Sequence, residues 1–223
     1  MAGRAIQREE GPPLAEPSAL FDLRFRNLLA REEWEALPLS TRRRFSKRLA
    51  GGASVVYAGE VLETRLHPAG WVFAQLARLI GSPLPRHPDA RVPAVVTVTE
   101  DPRTGGQIWT RLYGRRNGLP QVIQSSKNFM GPTGLEEVVG GGVGMALTAH
   151  SEGGALQFRS RRYFLRAGRL CIPLPGWMTP GALTVTHREN GDGRFLFTLE
   201  IVHPVFGLVV RQRAIFQDVF PGP

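Results

Sequence analysis

The stretch "RFLFTLEIVHPVFGLVVRQRAIF", residues 194–216, alternates apolar and polar residues on both sides of a His203–Pro204 turn. Side chains two apart in a strand share a face. Phe195, Phe197, Leu199 and Ile201 therefore set one face of the first half, and Phe206, Leu208, Val210, Ala214 and Phe216 one face of the second. The pattern predicts two antiparallel strands, each with one buried side. Two polar residues interrupt it: His203 continues the first apolar face, and Gln212 sits in the middle of the second.

Upstream, from Val92, strand-like runs recur at about 10–15-residue intervals. They are "VPAVVTVTE", "GQIWTRLYG", "QVIQSSKNFM", "VGMALTAHS", "GALQFRSRRYFLR", "RLCIPL" and "ALTVTHREN". Turn signals such as Pro102–Gly106, Asn117–Gly118, Glu152–Gly154 and Asn190–Gly193 separate them, with no long helical run between. Short strands joined by tight turns become antiparallel neighbours. A sheet of about nine or ten such strands must curl to bury one face.

The chain before Val92 reads differently. Residues 1–18 are polar and proline-bearing, a disordered tail. Ser18 caps an expected helix carrying Leu20, Phe21, Leu28, Leu29 and Leu37, which Pro38 ends. A second helix starts at Ser40 or Thr41, places Phe45 and Leu49 on one side and stops at Gly51–Gly52. "ASVVYAGEVLETRL" (53–66) is strand-like, bent or bulged at Gly59. "PAGWVFAQLARLIG" is an amphipathic helix with Trp71, Phe73, Leu76, Leu79 and Ile80 as its apolar side and Gly81 as its stop. The expected fold class is α+β, mainly β: N-terminal helices followed by a large antiparallel up-and-down sheet, curved or barrel-like, lipocalin-like in general form. Residues 19–223 form a single domain, with 19–91 a helical part holding one strand and 92–219 the sheet.

Composition narrows the function classes. Hydrophobic residues make up 42% and charged residues 21% of the 223, the balance of a globular protein. No stretch approaches the roughly 20 apolar residues of a membrane-spanning helix, although peripheral membrane contact stays open. The N-terminus "MAGRAIQREEGPPLAEPS" lacks a signal-like apolar run, which predicts a cytoplasmic protein. The net charge of +9 invites anionic partners. Yet only Lys47 and Lys127 among 28 basic residues are lysines, the usage a GC-rich coding sequence yields unprompted. The basic run "TRRRFSKR" (41–48) reads as a solvated helix face, so no specific nucleic-acid partner is implied. The single cysteine, Cys171, excludes an internal disulfide and sits in the apolar context "LCIPLPG", where a thiol behaves as a small hydrophobe. Five histidines form no metal-ligand motif, and nothing implies a cofactor. "VVGGGVGMAL" superficially resembles a dinucleotide loop, but its neighbours are hairpins; a rim or close strand packing is the simpler reading.

Candidate site residues follow from polar groups on apolar faces. Leu156, Phe158 and Phe164 lie in line with Ser160 and Arg162, and Leu183 and Val185 lead to His187. With His203 and Gln212, four strands each bring a polar group to an inner face. Such groups need a partner, a water or a ligand, and a mostly apolar cavity with a few polar groups suits a small molecule. Arg162 would suit an anionic head group. His187 and His203, the more compatible histidine pair, would suit proton transfer.

The order and spacing of "FAQLARLIGSPLP", "VPAVVTVTE", "GGQIWTRLYG", "IPLPGWMTPG" and "FLFTLEIVHPVFGLVVRQRAIF" resemble a bacterial domain-of-unknown-function family, the one numbered 4166, from about Leu37 to the C-terminus. The resemblance carries no catalytic residues over. It implies association with a dinucleotide-binding reductase-like domain, which this sequence does not contain, so a reductase-like protein would be met in trans.

The leading functional expectation is a binding module for an apolar or amphipathic small molecule, a lipid or polyketide-like metabolite, held by Arg162, His187, His203, Gln212 and Ser160. The alternatives are an isomerase- or cyclase-type enzyme using a pocket histidine, and an accessory domain of a dinucleotide-dependent reductase with a solidly filled core.

Overall fold

A computed structural model describes residues 22–168 and 170–219; the expected 1–18 tail and the Ser18 cap lie outside them. Among the described residues there are eleven strands: β1 (Ser54–Leu66), β2 (Val92–Asp101), β3 (Gly106–Tyr113), β4 (Gln121–Asn128), β5 (Glu136–Gly140), β6 (Val143–Glu152), β7 (Ala155–Ala167), β8 (Leu170–Pro173), β9 (Ala182–Glu189), β10 (Arg194–His203) and β11 (Gly207–Asp218). Successive strands pair antiparallel, except that β9 pairs with β7 and not with β8, and β11 returns to β1. Ten strands therefore form a closed barrel, a form that fits the lipocalin-like outline. β8 lies outside the ring, as a short ribbon on the second half of β7.

The opening stretch follows its alternation up to Ile201 and from Val210 on. Between them a bulge at Val209 shifts the register, so Val209 and Val210 are both buried and Phe206, expected on the inner face, is exposed. Phe195 pairs with Phe216, Phe197 with Ala214, and Leu199 with Gln212 across β10 and β11, all on the inner side. β5, embedded in the glycine-rich segment, is the strand the periodicity misses. It forms a hairpin with β6, whose turn passes through Gly140, Gly141 and Gly142, all at positive φ. No helix follows that turn, so the dinucleotide-loop likeness has no structural counterpart.

The first half of the chain closes one barrel end. In place of one long helix up to Pro38 there are a 3-10 turn at Arg26–Leu28 and a short helix α1 (Arg31–Glu35), separated by extended residues at Leu29 and Ala30. The reason is geometric. Phe25 and Trp34 are both buried, yet nine residues at about 100° each would put them on opposite sides of a continuous helix. Helix α2 (Leu39–Phe45) then buries Phe45 with Phe25 in an edge-to-face contact, centroids 5.2 Å apart, and both meet the ring of Phe158 on β7. The basic run fastens this plug to the wall. Arg44 pairs with Glu189 at 3.1 Å and covers the Phe195 ring at 3.8 Å, and Lys47 pairs with Asp218.

Three further expectations are corrected. The bulge in β1 falls between Val61 and Glu63, not at Gly59, which keeps regular pairs on both sides. Cys171 is exposed, because β8 is an outer ribbon. Helix α3 (Pro68–Leu76), continued by a 3-10 turn to Ile80 and stopped by left-handed Gly81, leaves Trp71 and Leu76 exposed. Its buried side is Gly70 and Ala74 instead. β11 passes so close that a Cβ on residue 70 would lie 2.0 Å from the Val209 carbonyl oxygen, a contact only glycine avoids.

Gly70→Ala should therefore force α3 off the barrel and cost about 2 kcal/mol or more, as overpacked sites do. Denaturant unfolding of the two forms checks this. A stability equal to that of the native chain would mean the contact is not as tight as described.

Candidate functional site

The aromatic plug fills only half of the barrel. In the other half lies a cavity of about 640 Å³, within the range of small-molecule pockets, about 300–1,000 Å³. Its wall is mostly apolar, with Ile123, Val139, Met145, Leu183, Val185 and Ile201 from five strands. Each points inward by strand alternation. The mouth is marked by wall residues that are themselves open to solvent: Leu79, 87% exposed, after α3, and Trp177, 78% exposed, in the β8–β9 connection.

Polar groups gather on the side facing the plug. Arg111 on β3, Ser125 on β4 and Glu137 on β5 line the cavity, and Lys127 on β4 stands directly across from Glu137. Lys127 Nζ donates to Glu137 Oε2 at 2.5 Å, Ser125 Oγ donates to Glu137 Oε1 at 2.6 Å, and Arg111 Nη1 donates to Ser125 Oγ at 3.1 Å. Arg111 Nη2 stands 3.6 Å from Glu137 Oε1. The ammonium of Lys127 also lies 5.3 Å from the Trp109 ring and 5.8 Å from that of Phe158, on the packed side of the cluster. Burial by itself would push the Glu137 carboxyl up, but Lys127 and Arg111 outweigh it and hold the group well below the ordinary carboxylate range, at about 2. Burial pulls Lys127 down from its usual value, against the opposing pull of Glu137. Nearer the mouth, Tyr163 donates from its hydroxyl to the Gly181 carbonyl at 2.9 Å, and burial raises its pKa to about 12.

The five residues expected from sequence do not converge. Gln212 lines the cavity, 3% exposed, with Nε2 donating to Thr64 Oγ1 at 3.4 Å. Ser160 does not line it; its hydroxyl accepts the Leu183 amide at 2.9 Å and ties β7 to β9. Arg162 is exposed on the outer face. Between Ala146 and Leu147 on β6 the partner jumps from Arg162 to Ser160, so Arg161 is an extra residue in β7. A one-residue bulge exchanges the two faces of a strand. Beyond it Tyr163 and Leu165 point inward, and Arg162 points out.

His187 is buried in the plug, 3% exposed, among the rings of Phe45, Phe158, Phe195 and Phe197. Its Nδ1 has no hydrogen-bond partner among the described residues. Burial first, then the nearby Arg44, Lys127 and Arg111, drive its pKa well below the ordinary value, so the ring is neutral. His203 packs behind the mouth against Phe206 and Phe73, its Nδ1 accepting the Val205 amide at 3.1 Å. Neither histidine lines the cavity. His187 pairs with Phe197, six residues from His203 along β10, which at the strand rise is about 20 Å. The two cannot act on one substrate atom. Among the described residues no cluster of three or more His, Cys, Asp or Glu could hold a metal, and no helix is long and apolar enough to cross a membrane.

Arg111, Ser125, Lys127 and Glu137 escaped the sequence reading. Their signal was present: "QVIQSSKN" places Gln121, Ser125 and Lys127 on one face with Ile123, and Lys127 is one of two lysines in the chain.

Residues 37–216 match the family model described as Domain of unknown function (DUF4166). No curated protein and no solved structure matches the chain.

Glu137→Gln leaves Lys127 and Arg111 buried without their counter-charge and should cost about 3–5 kcal/mol at neutral pH. The Glu137 carboxyl has a lower pKa folded than unfolded, so its contribution is complete above the ordinary carboxylate range and fades as pH falls through about 2. Denaturation curves of the native and Glu137→Gln forms should accordingly diverge at pH 7 and approach each other toward pH 2. A gap independent of pH would show that the ion pair is not its source.

Proposed function

Taking as premise that the chain belongs to the DUF4166 family of unknown function, we propose that it is a binding module that holds an apolar or amphipathic small molecule inside its barrel. The observation that carries this reading is the hollow half of the barrel: an apolar wall, a solvent-open mouth at Leu79 and Trp177, and one polar cluster at the inner end. Burying the apolar part of a molecule there gains about 25 cal/mol per Å² removed from water, and the pre-formed wall keeps the ordering cost small. The polar cluster fixes which end enters first.

The alternatives fit the cavity less well. An isomerase or cyclase using a pocket histidine lacks that histidine on the wall. A reductase accessory domain with a solidly filled core is at odds with the empty volume, and no residue here points to a reductase partner.

The uncharged fluorophore N-phenyl-1-naphthylamine should enter the cavity with a rise in emission. Met145→Trp, which adds bulk to the inward face of β6, should abolish the rise while thermal stability holds or increases, since filling a cavity commonly adds about 0.5–2 kcal/mol. Leu119→Trp, on an exposed loop outside the cavity, should change nothing. Equal probe binding by the native form and Met145→Trp would rule out the barrel interior as the binding place. Mass spectrometry of solvent extracts from the purified protein would then identify the natural occupant.

A further inference from the structure

The inner end of the cavity carries an unbalanced charge. Among the described residues, the ionisable side chains on its wall are Arg111 and Glu137, with the phenols of Tyr113 and Tyr163, and Lys127 is bonded to Glu137 from behind. Two cations thus meet one carboxylate. The carboxylate is already occupied on both oxygens, by Lys127 on one and Ser125 on the other. Arg111 is the member left over. A guanidinium has five N–H donors, and among the described residues Arg111 places one of them in a hydrogen bond, to Ser125. Its side chain is 13% exposed and lines the cavity, so the remaining donors are met by whatever occupies that space.

A buried cation short of acceptors favours whatever brings a negative charge in the same plane, and a carboxylate matches the guanidinium fork with two parallel hydrogen bonds. The apolar wall leads from this point to the mouth, so a chain attached to that carboxylate would run outward along Met145, Val139 and Leu165. We propose that Arg111 is an anion-recognition residue and that the occupant is an amphiphile with a carboxylate head, bound head-inward against Arg111 with its apolar tail toward Leu79 and Trp177. This rests on the cavity-binding reading above and adds the class of ligand and its direction. The role foreseen for Arg162 on β7 thus passes to an arginine on β3, four strands round the barrel.

Displacement of N-phenyl-1-naphthylamine from the protein at pH 8 by dodecanoate and by 1-dodecanol compares two chains that differ at the head. Dodecanoate should bind about ten- to a hundredfold more tightly, the usual weight of a charged hydrogen-bonded pair. Arg111→Met and Arg111→Gln should each bring the two Kd values within about threefold while the fluorophore still binds. Arg162→Met, which removes an equal charge from the outer face, should leave the preference intact. Equal binding of acid and alcohol by the native protein overturns the proposal without needing any variant to fold. So does a preference that survives in a folded Arg111 variant, or one that Arg162→Met removes as effectively, which would mark it as general attraction to a basic protein. Failure of the fluorophore itself to enter would instead remove the cavity-binding reading, and the proposal with it.

Discussion

A ring of ten strands encloses more space than its own side chains fill. Eight strands already leave an interior that is either just packed or able to hold one small ligand, and the diameter grows with strand number. Closure solves the edge problem, since no strand of the ring keeps an unpaired side, but it creates an interior that must be dealt with. Here the two halves of the barrel meet that demand in different ways. The segment from Asp22 to Leu49 inserts Phe25, Trp34, Leu37 and Phe45 into one end, against Phe158, Phe195 and Phe197. Nothing in the described chain does the same at the other end. α3 is held to β11 by the glycine contact at Val209, and the turn after it reaches β5; together they lend Phe73, Ala77 and Ile80 to the cavity wall without filling the space.

The boundary between the halves is where the polar cost concentrates. Arg44 and Glu189 close the plug from outside, and the Arg111–Ser125–Glu137–Lys127 cluster separates it from the cavity. Burying three charges is expensive, and an apolar set of similar volume would often serve stability as well or better. Lys127 also weighs on its surroundings: together with Arg44 and Arg111 it adds to the burial that keeps His187 neutral. A histidine that reads as a catalytic candidate from its place on an apolar face becomes, in three dimensions, one more ring in an aromatic core.

Legibility in the sequence follows from how local the cause is. Alternation is a two-residue property, so β10 and β11 are plain in the sequence, and their register is the one alternation implies from Phe195–Phe216 to Ile201–Val210, where the bulge at Val209 ends it. The up-and-down order is equally local, because each tight turn delivers the next strand beside the last. Facing direction is local only until a bulge intervenes. One extra residue at Arg161 sends Arg162 outward and brings Tyr163 and Leu165 in, and no composition signal in "RSRRYFLR" marks the slip. α3 fails for the opposite reason. Its apolar residues predict the wrong buried side, because the deciding quantity is the closeness of β11, a tertiary distance that favours Gly70 and Ala74 over Trp71 and Leu76.

The polar cluster illustrates a third kind of limit. Its members come from β3, β4 and β5, and no strand taken singly shows more than a few polar residues on its inward face. Their meaning appears when the ladder aligns Lys127 with Glu137 and brings Arg111 beside Ser125. A structural ion pair is complete when charges match, as Arg166 with Glu136 does on the outside of the same strand. The inner cluster is not complete in that sense, because the second cation has no second anion. On the wall of an otherwise apolar cavity, an imbalance of one charge is the feature hardest to explain as packing, since packing alone would be served as well by a neutral side chain at position 111. The sense of that imbalance, positive at the closed end of an apolar tube, is what distinguishes this barrel from one that merely happens to be hollow.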